Sequence, residues 1–102
     1  MNPKQLHCFI TAAQEGSFSK AAKKLYLSQQ ALSKTIDRLE EELDVPLFIR
    51  SVAGLQLTRY GEALRQSAFP YLQMHDNIIA DLQAMKNESP QTLSLGYPTG
   101  LL

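Results

Sequence analysis

The chain has 102 residues, 44% of them apolar, and its ten basic and ten acidic side chains cancel at neutral pH. This bounds one small folded domain, or one domain and the start of another, and excludes a largely disordered chain. The lone Cys8 rules out an intramolecular disulfide and fits a reducing cytoplasm, and no apolar run approaches the ~20 residues that cross a bilayer. No signal-peptide pattern opens the chain, so a cytoplasmic protein without a membrane partner is expected.

The charge is unevenly distributed. From Met1 to Arg65 there are nine Lys or Arg against seven Asp or Glu, and from Gln66 onward one against three. Between Ser17 and Arg38 the ratio is five to one, the acid being Asp37, which is a modest cluster of the kind a phosphate backbone senses.

Asn2-Pro3-Lys4-Gln5 reads as a helix start, with Asn2 capping, Pro3 in the first turn and Gln5 at the reciprocal capping-box position. Leu6, Phe9, Ile10 and Ala13 recur at helical spacing, and Gly16 is placed to end the helix in the left-handed conformation. Cys8 lies on this helix without a ligand-spaced partner and reads as a small packed hydrophobe. Ser17 caps a short second helix. Phe18, Ala21, Ala22 and Leu25 form its inner side, the alanines letting another helix cross closely, and Lys20 and Lys23 read as a solvated face.

After Tyr26-Leu27 comes a third helix, Ser28 to Leu43, capped by Ser28, with Leu27 and Leu32 at hydrophobic-staple positions. Leu32, Ile36, Leu39 and Leu43 form its apolar stripe. Its other face opens with Gln29, Gln30, Ser33, Lys34 and Arg38, amides, a hydroxyl and cations suited to a DNA major groove, while Glu40-Glu41-Glu42 belongs to the end outside the groove. The spacing is that of a helix-turn-helix, although generic three-helix bundles share the apolar periodicity.

Pro46 stops the third helix, and Leu47–Arg50 and Leu55–Leu57 read as strands of a small hairpin around residues 51–54. Thr58 caps a long helix from about Arg59 to Lys86, with Glu62 in its first turn. Leu64, Ala68, Tyr71, His75, Ile78, Leu82 and Met85 keep a four-three alternation, the seam of a coiled coil. Such a helix is roughly 40 Å long, too long to bury its stripe on so small a bundle, so a second copy is expected along that seam. His75 is a polar, register-setting position in it, and Pro70 is expected to bend the helix. Asn87–Gln91 reads as a polar linker, and Thr92–Tyr97 alternates as a strand with no sheet to join, as at the start of a further domain.

The run GSFSKAAKKLYLSQQALSKTIDRLEEEL, followed by PLFIR and LTRYGEAL, closely resembles the N-terminal winged helix-turn-helix of LysR-type transcriptional regulators. The likeness covers Leu6 to about Lys86, and the TLSLG run resembles the first strand of that family's effector-binding domain. It implies a mainly α fold, a three-helix core with a two-stranded wing at residues 1–58, then a dimerisation helix at 59–86. Residues 87–102 would be a hinge and the first strand of an effector domain. It also implies a cytoplasmic bacterial regulator that binds double-stranded promoter DNA as a dimer or tetramer and answers to a small-molecule effector, with no cofactor in this stretch. The family wing usually carries a second Arg where Ala53 stands, Gly is frequent at the position of Asp44, and Ala is usual at that of Tyr60. A molybdate-sensor type of winged helix shares parts of the same helix-turn-helix.

On this reading Gln29, Gln30, Ser33 and Lys34 read bases, while Ser17, Ser19, Lys24, Ser28, Arg38 and Arg50 hold phosphates. Asp37 repels DNA, so only the N-terminal half of the helix should enter the groove. No carboxylate pair, metal-spaced His/Cys set or Gly-rich phosphate loop occurs, so no catalytic or metal-binding residue is assigned. A coiled coil serving protein interaction alone would not need the Gln-Gln-Ser-Lys face.

Overall fold

A computed structural model of the chain describes residues 1–88, so the strand expected at Thr92–Tyr97 lies outside the described residues. The order of elements is α1 (Pro3–Glu15), α2 (Phe18–Leu25), α3 (Gln29–Leu43), β1 (Phe48–Ser51), β2 (Gly54–Leu57) and α4 (Arg59–Glu88). Two compact units result, Met1–Leu72 and the part from Gln73 onward. The first unit therefore takes in the opening turns of α4 as well as the winged bundle.

Each helix begins where its cap is. Asn2 and Gln5 complete the capping box of α1, with Gln5 N–H donating to Asn2 Oδ1 at 2.8 Å and Asn2 N–H to Gln5 Oε1 at 3.1 Å. Ser17 Oγ accepts from Lys20 N–H, and Ser28 Oγ from Ala31 N–H. Thr58 Oγ1 accepts from Gly61 N–H at 3.1 Å and itself donates to the Pro46 carbonyl at 2.6 Å, joining the start of α4 to the segment ahead of β1.

Helix ends are less regular than the glycines suggest. Gly16 ends α1 at φ 68°, as its residue type allows. Tyr26 and Asp44, however, end α2 and α3 in the same left-handed region, each at φ 57°. In both cases the following amide reaches back five residues, Leu27 N–H to the Ala22 carbonyl at 2.9 Å and Val45 N–H to that of Glu40 at 3.3 Å. These are Schellman ends, and their closing bonds hold a backbone shape that Tyr in particular disfavours.

The core lies where α1, α2 and α3 cross. Phe9, Leu32, Ile36, Leu39 and Leu47 are its largest fully buried side chains, and Ala21 and Ala22 are buried where α2 crosses its neighbours. Truncating Leu32 or Ile36 to alanine should cost ~2–5 kcal/mol, the transfer energy plus the cavity left behind. Cys8 belongs to this core, and burial pushes its thiol pKa up. Phe48 brings the hairpin into the same core, its ring 5.3 Å from that of Phe9 and 5.9 Å from that of Phe18.

The wing is a two-stranded antiparallel hairpin with Phe48 opposite Leu57 and Ser51 opposite Gly54, leaving Val52 and Ala53 as its tip. Its second strand, β2, is anchored by Leu55 N–H donating to the Gly16 carbonyl at 3.0 Å. Gly54, at φ 121°, runs so close to Gly16 that an added Cβ would sit 2.9 Å from the same oxygen. The wing is thus fixed to the junction of α1 and α2.

Two positions of the expected seam, Leu64 and Ala68, already have neighbours within the single chain. Ala68 is buried in the domain's own core, with Leu64 and Leu72 packed against it. The start of α4 thus covers its own bundle, burying Ala68 and covering part of Leu64 within the chain. Helix α4 continues through Pro70.

Candidate nucleic-acid interface

The candidate surface is built on α3, whose apolar stripe is turned to the core so that its other side is presented outward. Gln29, Gln30, Lys34 and Arg38 are exposed, and Ser33 is half-buried. Steps of four sort these side chains into two rows. One row is Gln30, Lys34 and Arg38, an amide followed by two cations. The other is Gln29, Ser33 and Asp37, which passes from an amide and a hydroxyl into a carboxylate.

The capping serines flank this surface. Ser28 is exposed and Ser17 half-exposed, and each spends its oxygen on a helix N-terminus while keeping its hydroxyl proton to donate. Ser19 is exposed beside Ser17. Lys24 pairs with Glu15 at 3.2 Å, yet most of its side chain remains in solvent.

Arg50, assigned to a phosphate from the sequence, is engaged within the chain. Its Nη2 lies 2.7 Å from Asp37 Oδ1 and 3.4 Å from Glu40 Oε1, its Nη1 donates to Ser33 Oγ at 3.4 Å, and its guanidinium rests 4.9 Å from the centre of the Phe18 ring. The reason is tertiary. Strand β1 is brought alongside α3, and the spacing of Arg50 from Asp37 and Glu40 in the chain does not announce their meeting. Asp37, expected to repel DNA, is accordingly paired with the compensating charge of Arg50.

Two residues that sequence reasoning missed shape the same surface. Glu40 Oε2 accepts from Leu47 N–H at 2.7 Å and from Phe48 N–H at 3.2 Å, so the end of α3 holds the entry of the wing. Tyr26 stands at the turn between α2 and α3 with 96% of its surface exposed. Its signal in the sequence was only its place in a turn where Gly or Asn would be easier.

Farther along α4, Tyr71, Ile78, Leu82 and Met85 are exposed, as are Phe69, Met74 and Ile79, while His75 is half-exposed. Among the described residues no group of His, Cys, Asp and Glu is placed to hold a metal ion, and no helix is long and apolar enough to cross a membrane.

The model of the bacterial regulatory helix-turn-helix protein family, lysR type, matches residues 3–62. The chain belongs to the LysR family. Among its LysR-type relatives it is 38% identical over 96 residues to the transcriptional regulator BudR of Klebsiella aerogenes, covering 94% of this chain and 67% of that protein. Other curated relatives it matches are spanned for only about a third of their length or less. Its fold is similar to that of the BenM DNA-binding domain in complex with catB site 1 DNA, with a TM-score of 0.82 and 31% identity, covering 87% of this chain and all of that one. It is likewise similar to the CbnR DNA-binding domain in its DNA complex, at a TM-score of 0.78 and 32% identity over 85% of this chain and all of that one. The structure is thus the winged helix-turn-helix DNA-binding domain of a LysR-type transcriptional regulator, and a molybdate-sensor type is not favoured.

Proposed function

We propose that this domain binds double-stranded promoter DNA in a sequence-dependent way, with the N-terminal half of α3 in the major groove. The observation that carries this is the exposed row Gln30, Lys34 and Arg38 beside Gln29 and Ser33 on one capped helix. Gln29, Gln30, Ser33 and Lys34 are the base readers, since Gln bonds adenine bidentately and Lys donates to guanine, each good pair contributing about 1–3 kcal/mol of discrimination. Ser17, Ser19, Lys24, Ser28 and Arg38 position the phosphates, aided by the exposed amides at the starts of α2 and α3.

Two copies pair along α4. Leu64 and Ala68 being engaged in the domain itself, the share of the seam left for a partner is Tyr71, His75, Ile78, Leu82 and Met85. That many exposed apolar side chains on one helix favours association over solvent. Residues 1–58 act as the DNA-reading part, 59–86 as the dimerisation helix, and 87–102 lead toward an effector domain that answers to a small molecule. The protein works in the cytoplasm as a regulator without catalysis.

The test is selection of bound duplexes from a random library, followed by affinity measurements on the selected and on random sequences. Gln29→Ala should relax preference at one base position and leave random-sequence affinity almost unchanged. Equal losses on both kinds of duplex would overturn its role in base reading. Log affinity should fall with log salt at a slope near −0.9 per phosphate neutralised. Sedimentation of the chain at tens of micromolar should show a dimer, and a monomer there would count against pairing along α4.

A further inference from the structure

Arg50 has a carboxylate on Asp37, a second on Glu40, a hydroxyl on Ser33 and an aromatic face on Phe18, all within its reach. Summed formally, one guanidinium set against two carboxylates leaves this cluster net negative. It has no surplus positive charge to offer a phosphate. Asp37 lies one step of four beyond Ser33 on the row that starts at Gln29, about 6 Å farther along the axis. A bare carboxylate at that point would face the nucleic acid the row is meant to read.

We propose that Arg50 is a positioning residue for DNA reading: it neutralises Asp37 and orients the Ser33 hydroxyl, and does not itself neutralise a phosphate. The inference rests on the DNA-reading function proposed above and names how its central row is kept usable. With Nη1 donating to one lone pair of Ser33 Oγ, the Ser33 hydroxyl keeps its proton to donate to a base. Ser33 then reads base acceptors, such as purine N7 or thymine O4, in preference to the amino group of cytosine. Only a planar fork lying on Phe18 can serve Asp37, Glu40 and Ser33 together; a Lys ammonium is a point charge that cannot.

The experiment is a double-mutant cycle on the full chain, with R50A, D37N and R50A/D37N measured on a selected duplex across a range of salt, and R50K beside them. R50A should weaken binding about tenfold, and adding D37N should restore most of that loss, as expected of residues that act through each other. R50K, although it keeps the charge, should bind markedly less well than the wild type. In R50A the salt slope should stay as it was, whereas R38A should flatten it by about 0.9.

A coupling between Arg50 and Asp37 below about threefold overturns the proposal. An R50K variant equal to the wild type, with a salt slope about 0.9 flatter in R50A, makes Arg50 a phosphate contact and overturns it too. The pair is partly exposed and adds little to stability, so all variants should fold, which thermal unfolding verifies. A wild-type chain that prefers no duplex over random DNA defeats the DNA-reading function itself, an outcome distinct from a wild type that binds selectively but shows an additive cycle.

Discussion

Gly61 is pressed against Leu47 so closely that a Cβ built on it would collide with the Leu47 carbonyl oxygen, with Leu57 Cδ2 only 2.8 Å away. The contact sets the first turn of α4 directly on the strand entry, where Leu47 also accepts from Thr58 N–H at 3.0 Å. Backbone cannot retreat as a flexible side chain can. Gly61→Ala should therefore destabilise the domain by about 1–3 kcal/mol, the usual range for overpacking, despite the better helix propensity of Ala. Urea unfolding checks this, and a variant as stable as the parent would show that the turn can shift freely.

Glu40 gives a second mechanical prediction. Its carboxylate satisfies the amides of both Leu47 and Phe48 while facing Arg50. Glu40→Ala leaves two part-buried donors without their partner and should cost about 1–3 kcal/mol. Amide hydrogen exchange at Leu47 and Phe48 should accelerate in the variant more than at Leu32 or Ile36. Uniform acceleration would mean that the wing entry is not held locally by Glu40.

At Tyr26 the expected change is a gain. The residue holds φ 57° with its side chain almost wholly in solvent, so its replacement forfeits little packing. Tyr26→Asn, which tolerates the left-handed region better, should raise stability by up to roughly 1 kcal/mol. A lower melting temperature for the Asn variant would reveal packing by Tyr26 that its exposure does not suggest.

Acid should loosen the N-terminal anchor. Glu42 accepts from the Met1 ammonium at 2.5 Å and from Gln5 Nε2 at 3.1 Å, and the hydrogen bonds of these two donors hold its carboxyl pKa below the ordinary value. A carboxyl with a depressed pKa in the folded chain binds its proton more weakly there than when unfolded. Its contribution is therefore complete above the unfolded-state pKa and is lost as pH falls through the folded one. Glu42→Gln should be slightly less stable than the parent at neutral pH and converge on it in acid, so that the acid limb of its stability curve is flatter. Parallel acid limbs would show that the contact does not persist in solution.

The helices were legible because their causes are local. Asn2 with Gln5, Ser17, Ser28 and Thr58 each announce a helix start, and the spacing of Leu32, Ile36 and Leu39 fixes which side of α3 is buried. A cap acts over three residues and a stripe over a few turns, so both can be read from neighbours in the chain. The hairpin followed from Pro46 and two short apolar runs, although the left-handed ends at Tyr26 and Asp44 did not. Schellman bonds between backbone groups carry those ends without the Gly that usually marks them.

The outward residues of α3 were therefore largely determined by the sequence itself: with Leu32, Ile36 and Leu39 turned in, Gln30, Lys34 and Arg38 must face out, and Gln29 is exposed at the first turn of the helix. Tertiary structure alone decided what stands beside them. The folding of β1 toward α3 made Arg50 the partner of Asp37, Glu40 and Ser33. The packing of α4 onto the bundle likewise claimed Ala68 for the domain's own core, packed the partly buried Leu64 against it, and left Tyr71, Ile78, Leu82 and Met85 exposed. Periodicity tells which side chains share a face. Which surface meets that face depends on contacts between residues far apart in the chain, and those form only when the elements pack.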